Sequence, residues 1–280
     1  MRINQELLIG LKPIYSTITF EIKKQRKKFF AFLVLIIMVS IAIAIITGLT
    51  PSEIQPDTLV DFFYTALYFI IFLLDVAACL FFSAIICSEF DKKTGFIIFP
   101  KINKYKLIVG KYIGNLILVI ILITSYYIII GLVGLFYYGG ETSIRIFYSY
   151  IIALLYLSAL SSFVTFFSSF LKTVNGTIVI TFVLLLFGFM IIDQLIGLIF
   201  AEKFEPLYSL AFLGNLIVNV LSDPFPNPRY IKVLFEPGNP DSSTMVQWLT
   251  PSIGMGITMM ILFTVLFLVL AALLFKRRQL

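Results

Sequence analysis

The chain has 280 residues, of which 60% are hydrophobic and only 13% are charged, and its mean hydropathy is +1.04. Globular proteins carry about 25% charged residues, so this composition excludes a soluble protein and predicts an integral membrane protein. The formal net charge is +6 and histidine is absent from the sequence, which removes the commonest general base and metal ligand.

Six apolar segments, each long enough to cross a bilayer, follow one another along the chain. A spanning helix needs about 20 mostly apolar residues. The sequence therefore predicts an all-α integral membrane protein with a single transmembrane domain over residues 1–280. The predicted spans are Phe29–Leu49, Phe62–Cys87, Tyr112–Phe136, Phe147–Leu171, Thr177–Phe200 and Ile253–Phe275.

The basic residues are distributed unevenly between the two sides of this six-span arrangement. Seventeen of the 21 Lys and Arg residues lie in segments that would face one side, and four lie on the other. Cytosolic loops carry the excess of Lys and Arg. We therefore expect a multi-pass protein of the cell membrane with both termini in the cytosol. The positive charge is explained by topology and not by binding to nucleic acid.

Residues 1–28 precede the first predicted span. Apolar side chains recur there at helical spacing, at Ile3, Leu7, Leu11, Ile18 and Ile22, and a basic block follows. This pattern predicts an amphipathic N-terminal helix that lies in the membrane interface. Proline lacks the amide hydrogen that a helix interior requires, so we expect a kink at Pro13.

Residues 201–252 form the long extracytosolic segment between spans five and six. Within it, Leu207–Leu221 is apolar but too short to cross a bilayer comfortably, which predicts a re-entrant or surface-lying helix. Several prolines follow and indicate turns and irregular chain. Trp248 precedes the last span, where an interfacial aromatic residue is expected.

The loop between spans two and three, residues 88–111, carries the most informative pattern in the chain. It reads SEFDKKTGFIIFPKINKYKLIVGK. Its lysines alone would suit a loop that only sets topology. Its apolar residues, Phe90 and Phe96–Phe99, need a partner or a lipid surface because they fall on the cytosolic side.

In its order of residues this loop resembles the one after the second span in permeases of the ABC type-2 exporter family. Glu89, Pro100, Gly110 and Lys111 match the family pattern, whereas Thr94-Gly95 reverses its usual Gly-Thr order. The resemblance implies that the loop folds as a coupling helix and docks on a separate ATPase subunit. The implied coupling residues are Glu89, Phe90, Thr94, Gly95, Phe96, Phe99 and Pro100.

The same resemblance implies a permease that exports a hydrophobic or amphipathic substrate, such as a lipid, a drug or a peptide. Two six-span subunits, identical or homologous, would pair above two ATPase subunits that hold ATP and magnesium. The chain itself lacks the GxxxxGK[ST] phosphate-binding motif, so we expect no catalytic, cofactor or metal site in it. Two other classes stay open, a non-transport membrane subunit held by an ATPase and an ATP-independent secondary transporter.

Asp75 is a carboxylate in the middle of the second predicted span. At the bilayer centre, such a group costs about 2.5–3.5 kcal/mol on insertion scales, so it needs a partner or water. Tyr68, Cys79 and Ser83 share its helical face. This face is either a wall of the translocation path or an interhelical hydrogen-bonding surface. Asp193, near the outer end of span five, is expected in the headgroup zone.

Small hydroxyl residues occupy one face of the fourth predicted span. Such residues allow helices to approach closely and to form hydrogen bonds across the contact. Helix packing and a substrate-facing stripe are both open interpretations of this pattern. The residues are Ser158, Ser161, Ser162, Thr165, Ser168 and Ser169.

Overall fold

The computed structural model describes residues 2–49, 56, 58–91, 103–139, 143–200, 204–234 and 244–277. In these residues, six helical segments are long and apolar enough to cross a membrane, which confirms the predicted number of apolar helices of spanning length. The helices are α1 (Arg2–Leu49), α2 (Leu59–Phe82), α3 (Cys87–Asp91), α4 (Lys104–Tyr138), α5 (Arg145–Phe170), α6 (Val174–Val183), α7 (Phe189–Phe200), α8 (Leu210–Gly214), α9 (Leu216–Asn219) and α10 (Ile253–Arg277).

The spanning segments alternate in direction. Gly110 of α4 lies against Thr17 of α1, and the Tyr137 hydroxyl of α4 donates to the Ala44 carbonyl of α1, so these two helices run parallel. The unit formed by α6, α7 and the π-helical turn Leu184–Gly188 between them runs the same way. Helices α2, α5 and α10 run in the opposite direction.

This alternation gives the bundle two distinct ends. One end, called the basic end here, carries α3, the start of α4 and the final turn of α10 with its two basic residues, Lys276 and Arg277. The opposite end, called the hairpin end, carries α8, α9 and two short strands. Because the number of spans is even, α1 begins and α10 finishes at the same end.

Helices α2 and α5 form the centre of the bundle. In their most apolar stretches 67% of the residues are buried, against 11% for the α6–α7 unit and for α10. Large aromatic side chains of these two helices are fully buried, among them Phe63, Phe81 and Tyr156. Helix association in lipid depends on close packing and hydrogen bonds, because lipid tails are as apolar as the side chains. Polar contacts between these central helices are therefore structurally important.

The N-terminal helix and the first span are one element. Helix α1 continues through Pro13 to Leu49 without interruption, whereas the sequence analysis separated a helix over residues 1–28 from the span. The Thr17 hydroxyl donates to the Pro13 carbonyl over 2.8 Å. A proline removes one hydrogen bond of the helix, and the remaining hydrogen bonds of this long helix keep it continuous through Pro13.

The second span is broken, which the sequence analysis did not predict. The expected span was Phe62–Cys87, but α2 ends at Phe82 and a turn over residues 83–86 separates it from α3. The residues AIIC over positions 84–87 are as apolar as the helix before them. Composition alone therefore does not reveal the break.

A two-stranded antiparallel hairpin corrects the all-α prediction. Strands β1 (Tyr230–Leu234) and β2 (Thr244–Trp248) pair with Tyr230 opposite Trp248. The prolines of this region predict turns and irregular chain. Both strands contain β-branched and aromatic residues that favour extended structure, and neither strand contains a proline, since β1 begins after Pro228 and ends before Pro237.

The apolar stretch Leu207–Leu221 forms the short helices α8 and α9, which pack against α2 and α5 at the hairpin end. Leu213, Leu216 and Ile217 are fully buried there. The Ser149 hydroxyl of α5 donates to the Ile217 carbonyl over 2.7 Å. Together α8 and α9 cover only Leu210–Asn219, too few residues to cross a bilayer, so the six-span count stands.

Candidate functional site

A buried ion pair at the basic end joins α3 to α4. The Lys111 ammonium donates to the Glu89 carboxylate, and it also approaches the Ser88 hydroxyl and the Ile85 carbonyl at 3.4 Å each. Lys111 is 4% exposed and Glu89 is 7% exposed. A buried charge is tolerated only when it is paired and hydrogen-bonded. The pair therefore fixes these two helices to each other.

This pair lies at the base of the loop that the sequence analysis singled out. Glu89 is the second residue of the loop and Lys111 is its last, so their contact holds the two flanks of the loop together. The sequence pattern points to each residue separately but does not predict their pairing. The central part of the loop, with Thr94, Gly95, Phe96, Phe99 and Pro100, lies outside the described residues.

Phe90 connects α3 to the last helix. Its ring lies 6.3 Å from the ring of Phe275 in an edge-to-face arrangement, a favourable geometry for aromatic pairs. Phe90 is half-buried, and Phe275 is buried. Helix α3 therefore contacts both α4 and α10 beside the loop.

The break in α2 is held in place by one serine of α5. The Ser168 hydroxyl accepts hydrogen bonds from the backbone amides of Ile86 and Cys87, at 3.1 and 3.0 Å, and donates to the Ser83 carbonyl at 2.7 Å. Backbone groups that leave a helix inside a membrane protein must find other partners. Ser168 supplies these partners, so specific hydrogen bonds stabilise the break and connect α2 to α5.

Asp75 lies between helices and not against lipid. It is 5% exposed, and the Tyr156 hydroxyl of α5 donates to its carboxylate at 3.3 Å. One turn further along α2, the Thr181 hydroxyl donates to Cys79 at 3.4 Å, and Ser83 is also buried. Tyr68 does not join this group, because it is 62% exposed. The predicted polar face is thus covered over only part of its length.

The hydroxyl residues of α5 are arranged partly along its own backbone and partly toward neighbours. Ser162 and Thr165 are buried and donate to carbonyls of the same helix, each at 2.7 Å. Ser158 contacts Thr264 of α10 at 3.0 Å, and Ser161 contacts the Tyr112 hydroxyl of α4 at 2.7 Å. The sequence predicts this stripe but not its partners, which come from distant parts of the chain.

A cavity of about 360 Å³ opens beside Thr165, between α4, α5 and α10 toward the basic end. Apart from Thr165 and two tyrosines, the side chains that line it are aliphatic, among them Ile108, Leu268 and Ala272. Of the residues predicted to line a path, Thr165 is the one that borders this cavity. An apolar chain or ring would fit it, whereas a strongly hydrated solute would find few polar groups.

No protein-family model matches the sequence, and a comparison with curated proteins finds no match. In the described part of the chain, no cluster of three or more Cys, Asp or Glu side chains is arranged to hold a metal ion.

Proposed function

We propose that this chain is the permease subunit of an ATP-driven exporter of the ABC type-2 family, in the cell membrane with its basic end in the cytosol. Separate ATPase subunits, which bind ATP and magnesium, dock at the loop over residues 88–111. A second permease subunit, identical or homologous, completes the path. The exported substrate is hydrophobic or amphipathic, such as a lipid, a drug or a peptide.

The Glu89–Lys111 ion pair carries this proposal. Both residues belong to the pattern on which the family resemblance is based, and in the fold they contact each other at the base of the loop. A loop that only set topology through its charges would keep those charges in water. Here both charges are buried. This burial supports the view that the loop is held in a fixed position relative to the bundle.

The contacts around the pair also support a route for mechanical coupling. A force on the loop reaches α4 through Lys111 and α10 through Phe90. It reaches α5 through Ser168, which holds the break in α2. Closure of the ATPase subunits would move these helices as packed units and switch access between the membrane faces.

The apolar cavity beside Thr165 supports the proposed substrate class. Substrate pockets are mostly lined by apolar and aromatic side chains with a few polar groups, and this cavity fits that description. Asp75 is more deeply enclosed and is hydrogen-bonded to Tyr156, which favours a packing role for that carboxylate. We assign no catalytic residue to this chain, since ATP hydrolysis belongs to the partner subunit.

Affinity purification in a mild detergent, with identification of the co-purifying subunits, tests this proposal. The wild-type chain should retain an ATPase subunit. Replacing both Phe96 and Phe99 with Asp should release it, because apolar contacts in the loop would be lost, while the permease stays folded in the membrane. Ile231→Asp at the hairpin end, which is exposed, is the control and should leave the complex intact. Absence of any ATPase from the wild-type preparation would contradict the proposal, as would an intact complex with the double variant.

A further inference from the structure

A second and larger cavity, of about 530 Å³, lies at the hairpin end. One wall is the outer part of the α6–α7 unit, with Asp193 and Gln194. A second wall comes from α8 and the chain before it, and the third is strand β2 with Trp248. The three walls come from separate parts of the chain, so the cavity is made by the tertiary fold. Its volume lies in the range of small-molecule sites.

Two polar atoms at this cavity are buried without hydrogen-bond partners. They are the Oδ1 atom of Asp193 and the indole Nε1 of Trp248. The other carboxylate oxygen of Asp193 accepts from the Ser209 hydroxyl at 2.7 Å. Among the described residues, Asp193 forms no ion pair. Because a carboxylate offers about four acceptor sites, this group can accept further hydrogen bonds besides that of Ser209.

The Tyr208 hydroxyl lies beside the same carboxylate. Burial raises the pKa of Tyr208, and a hydrogen bond to Asp193 and the charge of that carboxylate raise it further, so the phenol stays protonated. With Ser209 and Tyr208 as donors, Asp193 keeps acceptor sites for a further donor.

Arg229, the cation that lies over the Trp248 ring, already has an anionic partner. Arg229 lies 5.6 Å from the indole ring centroid and donates to both carboxylate oxygens of Glu205, at 2.5 and 3.3 Å. Its charge is therefore directed to Glu205. The cavity combines an incompletely paired carboxylate with an indole and apolar side chains such as Phe212 and Val246.

We propose that this cavity binds an organic ammonium group carried on an apolar body. Hydrogen bonds from an ammonium to a carboxylate are charge-assisted and strong, and indole is the best aromatic partner for a cation. The ammonium would donate to Asp193 Oδ1 beside Trp248, and the apolar body would contact Phe212 and Val246. This inference goes beyond the proposed transport function and does not depend on it.

Tryptophan fluorescence tests the site directly, because Trp248 is the single tryptophan of the chain. The purified protein in detergent would be titrated with 2-phenylethylamine and, separately, with 2-phenylethanol, which has the same apolar body and no charge. We expect a saturable change in Trp248 emission and about tenfold or tighter binding of the amine, as is typical of hydrogen bonds to charged groups. Asp193→Asn should remove the preference for the amine.

Asp61→Asn is the matched control, since Asp61 is an exposed carboxylate at the start of α2, at the same end of the bundle. It should leave the titration unchanged. If Asp193→Asn does not fold, the comparison of amine and alcohol in the wild-type protein decides alone. Equal binding of the two probes, or no saturable change with the amine, would overturn the proposal.

A lipid headgroup could also provide the ammonium group. Lysophosphatidylethanolamine would be added as a competitor in the same titration. Displacement of 2-phenylethylamine would identify an ethanolamine headgroup as a ligand of the site, and lack of displacement would identify free amphipathic amines.

Discussion

Two carboxylates, Glu89 at the basic end and Asp193 at the hairpin end, have opposite environments. At the basic end, Glu89 is buried against Lys111, and the ammonium is surrounded by further acceptors. At the hairpin end, Asp193 has one serine donor, and its other oxygen is buried beside a cavity without a partner. A charge satisfied inside the protein holds elements together, whereas an incompletely satisfied charge beside a cavity is available to a ligand. The difference separates a mechanical connection from a binding site.

Neutral polar groups at the basic end do not follow this division completely. The Ser83 hydroxyl and the Asn115 side-chain oxygen are buried there without hydrogen-bond partners. Each costs far less than an unpaired charge would. The contrast therefore lies between the charged groups Glu89 and Asp193, and it can be tested at the ion pair, at the break next to it and at Asp75, between the two ends.

Breaking the ion pair should have the largest effect. Lys111→Met leaves Glu89 buried without its cation, and breaking a buried pair costs about 3–5 kcal/mol. We therefore expect a marked fall in the melting temperature of the purified protein, followed by circular dichroism. Asp223→Asn is the control, since Asp223 pairs with Arg145 at 2.8 Å but is exposed, and it should change the melting temperature little.

A double variant separates the pair from other effects of the lysine. Glu89→Gln combined with Lys111→Met removes both charges, and replacing both partners of a buried pair usually costs much less than removing one. The double variant should recover most of the lost stability. Equal destabilisation by the single and the double variant would show that the pair does not hold α3 against α4.

The break in α2 should be the next most sensitive point. Ser168→Ala leaves the amides of Ile86 and Cys87 without their acceptor, and each unsatisfied buried group costs about 1–3 kcal/mol. Ser162→Ala is the matched control on the same helix, because Ser162 bonds only to its own helix among the contacts described. Thermal unfolding should separate the two variants, with Ser168→Ala lower. Equal melting temperatures would mean that Ser168 does not stabilise the break.

Asp75 provides a third carboxylate, between the two ends, with one tyrosine donor. Asp75→Asn should be tolerated within about 1 kcal/mol, because the amide oxygen still accepts from Tyr156. Tyr156→Phe should lower the free energy of unfolding more, since it removes the hydroxyl that donates to the buried carboxylate. Both variants can be compared by thermal unfolding. A larger loss for Asp75→Asn than for Tyr156→Phe would show that the negative charge itself has a role.

The six spans could be predicted from the sequence because bilayer thickness fixes the length of an apolar helix. The break in α2 could not, because it depends on Ser168, which lies more than 80 residues away from Ile86. The hairpin likewise depends on pairing between two short strands. Tyr68 and Asp75 lie on the same helical face. The angle of a residue around the helix axis does not show whether a neighbouring helix covers its side chain at that position along the axis. Glu89 and Lys111 were found as motif residues, and the fold supplied their contact.

Photo-cross-linking in living cells tests the central claim, that the loop docks on an ATPase, most directly. Phe96 would be replaced by p-benzoylphenylalanine, and the same photoreactive residue would be placed at Ile231 on the hairpin as the control. The account predicts that illumination joins position 96 to a subunit carrying a phosphate-binding ATPase motif and that position 231 gives no such product. A cross-link to the ATPase from position 231, or none from position 96, would contradict it.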